Sequence, residues 1–200
     1  MATTSVARII AEKENICQGD VFKNVQYNYI NGEDKDNVEI IEYTFPYAII
    51  ISQGCDVLSM GEMVENHEGK MTKFMPSILM CPIYHADYVS KAKHMDDVFP
   101  KLGLKVDEKD DKVLCTRKDK EVMQKDWHYR YHMLRVVIGR DIVMDKALLD
   151  FKHYFTVPAS YLVRNRKNRI FRLDDIYAEQ ITLKFSTFLA RVAMPVVDIP

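Results

Sequence analysis

Reactive side chains cluster directly after the apolar run 48–51, in the stretch SQGCD at residues 52–56. A cysteine thiolate becomes a nucleophile when a base activates it, and a carboxylate can accept a proton or orient a histidine. The same stretch also suits a structural turn, because Gly54 tolerates a positive φ and Asp56 can accept hydrogen bonds from backbone amides. In the functional interpretation Asp56 is a catalytic candidate, and a polar pocket is lined by Ser52, Gln53 and Cys55.

His85 follows a second apolar segment, SILMCPIY at residues 77–84. If both apolar segments are buried strands, we expect their ends to reach the same rim, with His85 close to Asp56. An imidazole titrates near neutral pH, so His85 is a candidate general acid or base. The alternative interpretation is an exposed histidine at the end of a strand.

The segment WHYRYH at residues 127–132 alternates aromatic and cationic side chains. As a strand it would place His128, Arg130 and His132 on one face. Arg130 is then a catalytic candidate that stabilises charge on a phosphate, and His132 would line the pocket. The two histidines would lie roughly 13 Å apart, too far for one metal ion, so the sequence predicts no metal site. A polar outer face of an antiparallel strand is the alternative.

Cationic side chains are densest in RNRKNR at residues 164–169. Guanidinium groups bind phosphate through paired hydrogen bonds, so this stretch could position a nucleic-acid backbone. A solvated basic turn is the alternative interpretation. The candidate phosphate-binding residues are Arg164, Arg166, Arg169 and Arg191.

The composition of the chain limits the classes of function. Its 200 residues carry 28 Lys and Arg against 29 Asp and Glu, a formal net charge of −1. This balance argues against bulk electrostatic binding of nucleic acid, but a local basic patch can still bind it. No apolar run reaches the length of a membrane span, and the first residues lack the pattern of a signal peptide, so we expect a cytoplasmic protein with no membrane partner.

The four cysteines form no CxxC pair, which predicts free thiols, no disulfide and no zinc, and no cofactor is expected.

Hydrophobic patterning predicts the strands that position these residues. Residues 1–200 are predicted as a single α+β domain with six or seven strands. Segments 48–51 and 77–84 are expected to be central and buried, and to pair with each other. Pro46 is expected to separate the first of them from a preceding strand.

Helices are predicted at several places. We expect a short helix near the N-terminus, over residues 5–15, and a loop or weak hairpin over residues 61–72. The charge-rich segment 86–126 is predicted as a helical insertion. Residues 174–194 are predicted as an amphipathic helix, because Ile176, Ile181, Phe185, Phe188, Leu189 and Val192 recur at helical spacing.

Three short motifs, in the same order, resemble those of the MazF/PemK-type toxins. They are GDVF at residues 19–22, AIIIS at 48–52 and LMCP at 79–82. The chain resembles more closely a set of bacterial barrel proteins with an SQxCD signature and an RV(G/A)xP ending, through SQGCD at 52–56 and RVAMP at 191–195. The resemblance implies an SH3-like (MazF/PemK-like) β-barrel with a helical insertion and a C-terminal helix.

The same resemblance implies a protein that acts on or binds single-stranded RNA, as a metal-independent endoribonuclease, in toxin–antitoxin or phage-defence systems. Two family features are absent. TFPY at 44–47 replaces the Arg-Pro pair before the first apolar strand, and Ile83, Tyr84 and His85 stand where the family has Ser or Thr just after the proline. The family active site therefore does not transfer to these positions, and weak or absent RNA cleavage is expected.

Two other hypotheses stay open. The first is a non-enzymatic module that binds a protein partner in a bacterial defence or regulatory complex, and this hypothesis leaves the oligomeric state open. The second is a cysteine-dependent hydrolase centred on Cys55, whose thiol would need a nearby histidine as its base.

Overall fold

The computed structural model describes residues 3–31, 38–91, 93–95, 121–122, 125 and 128–190, which form a mixed α+β fold. The strands in this part of the chain are β1 (Thr3–Arg8), β2 (Asp20–Asn31), β3 (Glu39–Ile50), β4 (Ile78–His85), β5 (Tyr131–Ile138), β6 (Asp141–Asp150), β7 (Phe155–Val157) and β8 (Arg169–Leu173). The α-helices are α1 (Gly54–Asn66), α2 (Ala86–Ser90), α3 (Ala159–Arg164) and α4 (Asp175–Leu189). Single turns of 3-10 helix include Lys93–Met95 and Phe151–His153.

The strands form one sheet in the order β3-β2-β8-β1-β5-β6-β4-β7. Strand β3 also pairs with β4. The first seven strands in this order, β3 to β4, are therefore paired in a continuous circuit, and β7 pairs with β4 outside that circuit. Strand β1 runs parallel to β5, and the other pairings are antiparallel. Each strand of this circuit therefore has a hydrogen-bonded neighbour on both sides.

The two apolar segments are paired as the sequence predicts. Ala48 lies opposite Pro82, and Ile50 lies opposite Met80, and these four residues are buried. Pro46, however, does not end a strand, because β3 runs without a break from residue 39 to residue 50. The β2–β3 register skips Pro46 at this point, where a residue without an N–H can be tolerated.

Two expectations about local structure were wrong. The N-terminal segment forms strand β1 rather than a helix, because it adds to the sheet between β5 and β8 and turns Ser5 and Ala7 inward. Residues 54–66 form helix α1, although much of this segment was expected to be a loop. The helix packs Val57 and Met60 into the core, a tertiary contact that the local sequence did not reveal.

The C-terminal helix is confirmed over residues 175–189, with Asp174 at its N-cap. Its buried face consists of Ala178, Ile181 and Phe185, which join a first core cluster together with buried residues of β1 to β6 and β8. Ile176 and Leu189 are exposed, so the apolar stripe is narrower than predicted. Val192 lies outside the described residues. In the predicted insertion, α2 and the turn Lys93–Met95 are helical, and most of the segment lies outside the described residues.

A second core cluster packs α1 and α3 against β2, β3, β4 and β7, and includes Phe22, Ile50 and Met80. The two clusters lie on opposite faces of β3 and β4, because successive side chains of a strand alternate between faces. No helix among the described residues is both long and apolar enough to cross a membrane.

We expect the replacement of a side chain of β3 by alanine to lower the free energy of unfolding only where that side chain is buried. Ile49→Ala should lower the free energy of unfolding by about 2–5 kcal/mol, because it leaves a cavity in a fully buried position. Ile40→Ala is the matched control in the same strand, and with Ile40 60% exposed its effect should stay within about 0.5 kcal/mol. Urea unfolding of both variants checks this, and equal losses would contradict the assignment of buried and exposed positions.

Candidate active site

A fully buried carboxylate, Asp150, lies at the end of β6 and is held by Arg130. Arg130 donates two hydrogen bonds to it, from Nε to Oδ1 at 2.7 Å and from Nη2 to Oδ2 at 2.6 Å. The backbone N–H of Lys152 donates a third, to Oδ1, at 3.1 Å. A bidentate guanidinium–carboxylate pair is among the strongest polar contacts in proteins, so the position of both groups is well defined.

Two histidines lie close to Oδ2 of Asp150. His153 Nδ1 is 3.2 Å from Asp150 Oδ2, and it also contacts the Tyr84 hydroxyl at 3.3 Å. His94 Nε2 is 3.7 Å from the same oxygen, which is longer than a hydrogen bond. The His94 ring packs against both Tyr84 and His153, with ring centroids 5.0 and 5.3 Å away. We call Tyr84, His94, Arg130, Asp150 and His153 the carboxylate cluster.

The register of three neighbouring strands assembles the carboxylate cluster. Tyr131, the first residue of β5, pairs with Asp150, which places Arg130 next to the carboxylate. The Arg130 guanidinium also lies over the Tyr131 ring, 4.8 Å from its centroid. Tyr84 comes from β4, which pairs with β6 through the contact of Tyr84 with Leu148. His94 reaches the cluster from the turn that follows α2.

Electrostatics keeps Asp150 and Arg130 charged. Burial alone would raise the pKa of Asp150, but the proximity of His94 and the hydrogen bonds from Arg130 outweigh it and hold that pKa below its usual value. Burial likewise opposes the charged form of Arg130, and the hydrogen bonds to Asp150 raise its pKa in spite of this. The two groups therefore stay ionised as a pair.

His153 and Tyr84 are neutral at physiological pH. Burial lowers the pKa of His153 to about 4, and the Asp150 charge compensates only in part. Burial, followed by the Asp150 charge, raises the pKa of Tyr84 well above its usual value, so its hydroxyl keeps the proton. The cluster thus offers a neutral imidazole that can accept a proton beside a fixed cation.

The residues of SQGCD do not form a pocket with His85. Because β3 and β4 are antiparallel, the end of β3 lies beside the start of β4, where Ser52 Oγ accepts a hydrogen bond from the Leu79 N–H at 2.8 Å. His85 is six residues further along β4, about 20 Å away at the usual rise of a strand. The expectation of a shared rim was therefore wrong.

Each part of that predicted pocket has a local structural setting. Gln53, Cys55 and Asp56 are exposed where α1 begins, and Asp56 lies in its first turn, where a carboxylate complements the helix dipole. His85 is the N-cap of α2 and accepts a hydrogen bond from the Asp87 N–H at 3.3 Å. Catalytic roles for Asp56 and His85 stay predictions.

Arg130 and His132, which were expected on one face of a strand, contact different partners in the structure. Arg130 joins the carboxylate cluster, where its guanidinium is paired with Asp150, and its role in stabilising charge on a phosphate stays a prediction. His132 is buried within β5, and its Nδ1 lies 3.4 Å from Lys184 Nζ on α4. Tyr131 and His132 are consecutive residues of β5 and are both buried, so at these two positions the strand does not present the polar outer face that the sequence offered as an alternative.

Two of the four cationic residues in the basic stretch 164–169 have internal partners. Arg166 pairs with Glu65 of α1. Arg169, together with Arg172, binds the fully buried Asp20, with Arg169 Nη1 3.0 Å and Arg172 Nε 2.6 Å from its carboxylate oxygens. Arg169 also donates to backbone carbonyls in the loop before β2, at residues 11, 12, 14 and 15. Arg164 is exposed, and Arg191 lies outside the described residues.

Sequence reasoning missed Tyr84, His94, Asp150 and His153 as site residues. The one local signal is the spacing of Asp150 and His153, three residues apart in DFKH, which places both side chains on the same side of a helical turn. Arg130 meets Asp150 through the hairpin of β5 and β6. Tyr84 and His94 come from parts of the chain more than fifty residues before Asp150, so only the pairing of β4 with β6 and the packing of the turn after α2 bring them to the cluster.

Comparison with the models of known protein families, with curated proteins and with solved structures found no match. The class of protein must therefore be inferred from the fold and the carboxylate cluster.

We expect Arg130 to be needed for stability because it compensates a buried charge. Arg130→Met keeps the aliphatic bulk but leaves Asp150 without its cation, which should cost about 3–5 kcal/mol of unfolding free energy. Arg135→Met is the matched control on β5, where the pair with Asp145 is 3.6 Å long and about half exposed, and it should cost less than about 1 kcal/mol. Equal losses in urea unfolding would contradict this role for Arg130.

The lowered pKa of His153 predicts a loss of stability in mild acid. The unfolded chain binds a proton on this imidazole below about pH 6.5, whereas the folded protein does so only near its pKa of about 4. Unfolding is therefore favoured as the pH falls through this window. His153→Phe keeps a ring and removes the titrating group, so its stability should fall less between about pH 7 and about pH 5. Urea midpoints with the same pH dependence for both proteins would contradict this.

Proposed function

We propose that this protein is a MazF/PemK-like barrel that cleaves single-stranded RNA by acid–base catalysis in the carboxylate cluster. The observation that carries the proposal is the pairing of a fixed guanidinium with two imidazoles around one buried carboxylate. The circuit of seven strands and the packed C-terminal helix support an SH3-like barrel. A role in toxin–antitoxin or phage-defence systems belongs to the same proposal.

Cleavage of RNA through its 2′-hydroxyl needs a base, an acid and a cation. In our proposal the neutral His153 takes the 2′-hydroxyl proton while the 2′-oxygen bonds to phosphorus. The bond from phosphorus to the 5′-oxygen breaks, and His94 gives this oxygen a proton, which yields a 2′,3′-cyclic phosphate and a free 5′-hydroxyl. Arg130 stabilises the negative charge that develops on the phosphate oxygens. Asp150 positions Arg130 and His153.

Exposure within the cluster is consistent with the proposed roles of Arg130, His153 and Asp150. The side chains of Arg130 and His153 are 19% and 17% exposed, while Asp150 is completely buried. Arg130 and His153 therefore reach the surface, whereas the proposed acid, His94, is only 5% exposed and the carboxylate is shielded from water. A low local dielectric strengthens the interaction of Arg130 with a charged transition state.

Protein binding is a second candidate function, and a separate surface favours it. Apolar side chains are exposed on the β2–β3 pair, where Ile30 lies opposite Ile40 and both are more than half exposed, as is Val38. Neighbouring exposed apolar side chains are typical of surfaces that contact another protein. This candidate corresponds to a non-enzymatic module in a defence or regulatory complex.

Incubation with a mixed pool of single-stranded RNA tests the first proposal. We expect weak cleavage, with rate losses of at least about 10² for His153→Phe and about 10²–10³ for Arg130→Lys. Arg130→Lys is chosen because it keeps a cation beside Asp150. The matched control is His67→Asn, which removes an exposed imidazole outside the cluster and keeps a residue that tolerates the positive φ of 55° at this helix end.

Two results would overturn the proposal. Cleavage that persists in His153→Phe but is lost in His85→Asn or Asp56→Asn would assign catalysis to the residues suggested by the sequence. A folded protein that cleaves no RNA at high concentration would favour the protein-binding module instead.

A further inference from the structure

The ligand atoms of three residues in the carboxylate cluster converge on one small volume. His94, Asp150 and His153 each offer one atom, and these atoms all lie within 4.8 Å of one another. The separation of His153 Nδ1 from Asp150 Oδ2 is 3.2 Å, and that of His94 Nε2 from the same oxygen is 3.7 Å. Neighbouring ligand atoms around a zinc-sized ion, each about 2.0–2.2 Å from it, lie about 3–3.5 Å apart. The three residues therefore need only small shifts to share an ion.

His94 provides an independent sign of a missing ligand. Its side chain is only 5% exposed, yet neither ring nitrogen has a hydrogen-bond partner among the described residues. Buried polar atoms are almost always paired with protein, water or an ion, because leaving them unpaired is unfavourable. The unpaired His94 Nε2 lies toward Asp150 Oδ2, where the other two ligand atoms meet.

From these two observations we propose that His94, Asp150 and His153 bind a single divalent transition-metal ion of the zinc, cobalt or nickel kind. Two imidazoles and a carboxylate suit such ions, whereas magnesium and calcium prefer sites made mainly of oxygen. Tyr84 packs beside both imidazoles. With three protein ligands, at least one coordination position stays open to water.

The surroundings of Asp150 would orient it as a ligand but also limit the affinity. Carboxylates that bind metals are usually held by further hydrogen bonds, and here Arg130 and the Lys152 N–H supply them. The Arg130 cation repels a divalent ion, and it already neutralises the negative charge of Asp150 when no ion is bound. We therefore expect reversible binding, weaker than that of structural sites built from several thiolates.

Metal binding would also compete with RNA cleavage, a consequence that depends on the proposed function. An imidazole nitrogen that donates its lone pair to a metal ion cannot accept a proton. The ion should therefore inhibit cleavage, and removal of the ion by a chelator should restore it. The binding of the ion itself does not depend on any activity toward RNA.

Titration of the full-length protein with Co²⁺, after dialysis against a chelator, tests the site without RNA. The visible ligand-field absorption of bound Co²⁺ should saturate at one equivalent. His94→Phe removes one ligand and keeps an aromatic ring against Tyr84 and His153, and it should weaken Co²⁺ binding at least tenfold. His153→Phe should do the same, while His67→Asn should bind Co²⁺ as the unmodified protein does. Circular dichroism of each variant establishes that it is folded.

Three outcomes would overturn the metal site. The first is saturable Co²⁺ binding that is unchanged in a folded His94→Phe variant. The second is intense thiolate-to-cobalt charge transfer, which would place the ion on cysteine. The third is the absence of any saturable Co²⁺ absorption in the unmodified protein. Since none of these readouts involves RNA, failure of the metal site and failure of the proposed nuclease can be told apart.

Discussion

The ion pair between Arg130 and the buried Asp150 is the interaction on which the candidate site depends. Taking a carboxylate out of water costs several kcal/mol, and a well-placed guanidinium with good hydrogen-bond geometry offsets much of that cost. The pair forms because Tyr131 of β5 lies opposite Asp150 of β6. A change of register by one residue would leave both charges without their partners, so the pair and the strand register support each other.

A second buried carboxylate, that of Asp20, is also paired with arginine side chains. This carboxylate is also completely buried, and it is held by Arg169 and Arg172 from the far end of the chain. It also accepts the Cys17 N–H, so the loop before β2 is fixed to β8. These two arginines are engaged in structure, which explains why a dense basic stretch does not by itself make a nucleic-acid surface. The two buried carboxylates differ in their neighbours, because the described contacts of Asp150 include two imidazoles.

The antiparallel pairing of β3 with β4 separates the two regions that carry polar side chains. The end of β3 leads into helix α1, where the side chains of SQGCD are mostly exposed or support the turn. The carboxylate cluster instead gathers around the end of β6, with contributions from β4, from the start of β5 and from the turn after α2. Its partial burial, its neutral imidazole and its fixed cation form a suitable setting for proton transfer beside a phosphate. The same geometry suits a metal ion that would compete for the imidazoles.

The sequence by itself determined the parts of this protein that depend on local pattern. The continuous apolar runs predicted the central strands and their pairing, and the helical spacing of Ile181 and Phe185 predicted the C-terminal helix. Charge and composition could not say which carboxylate meets which arginine, since Arg130 and Asp150 are twenty residues apart and Asp20 and Arg169 are 149 apart. Those contacts follow from strand register and from the order of strands in the sheet. Only the tertiary structure therefore decided that Arg130 lies beside two histidines, that two arginines of the basic stretch pair internally, and that Asp56 and His85 lie far apart.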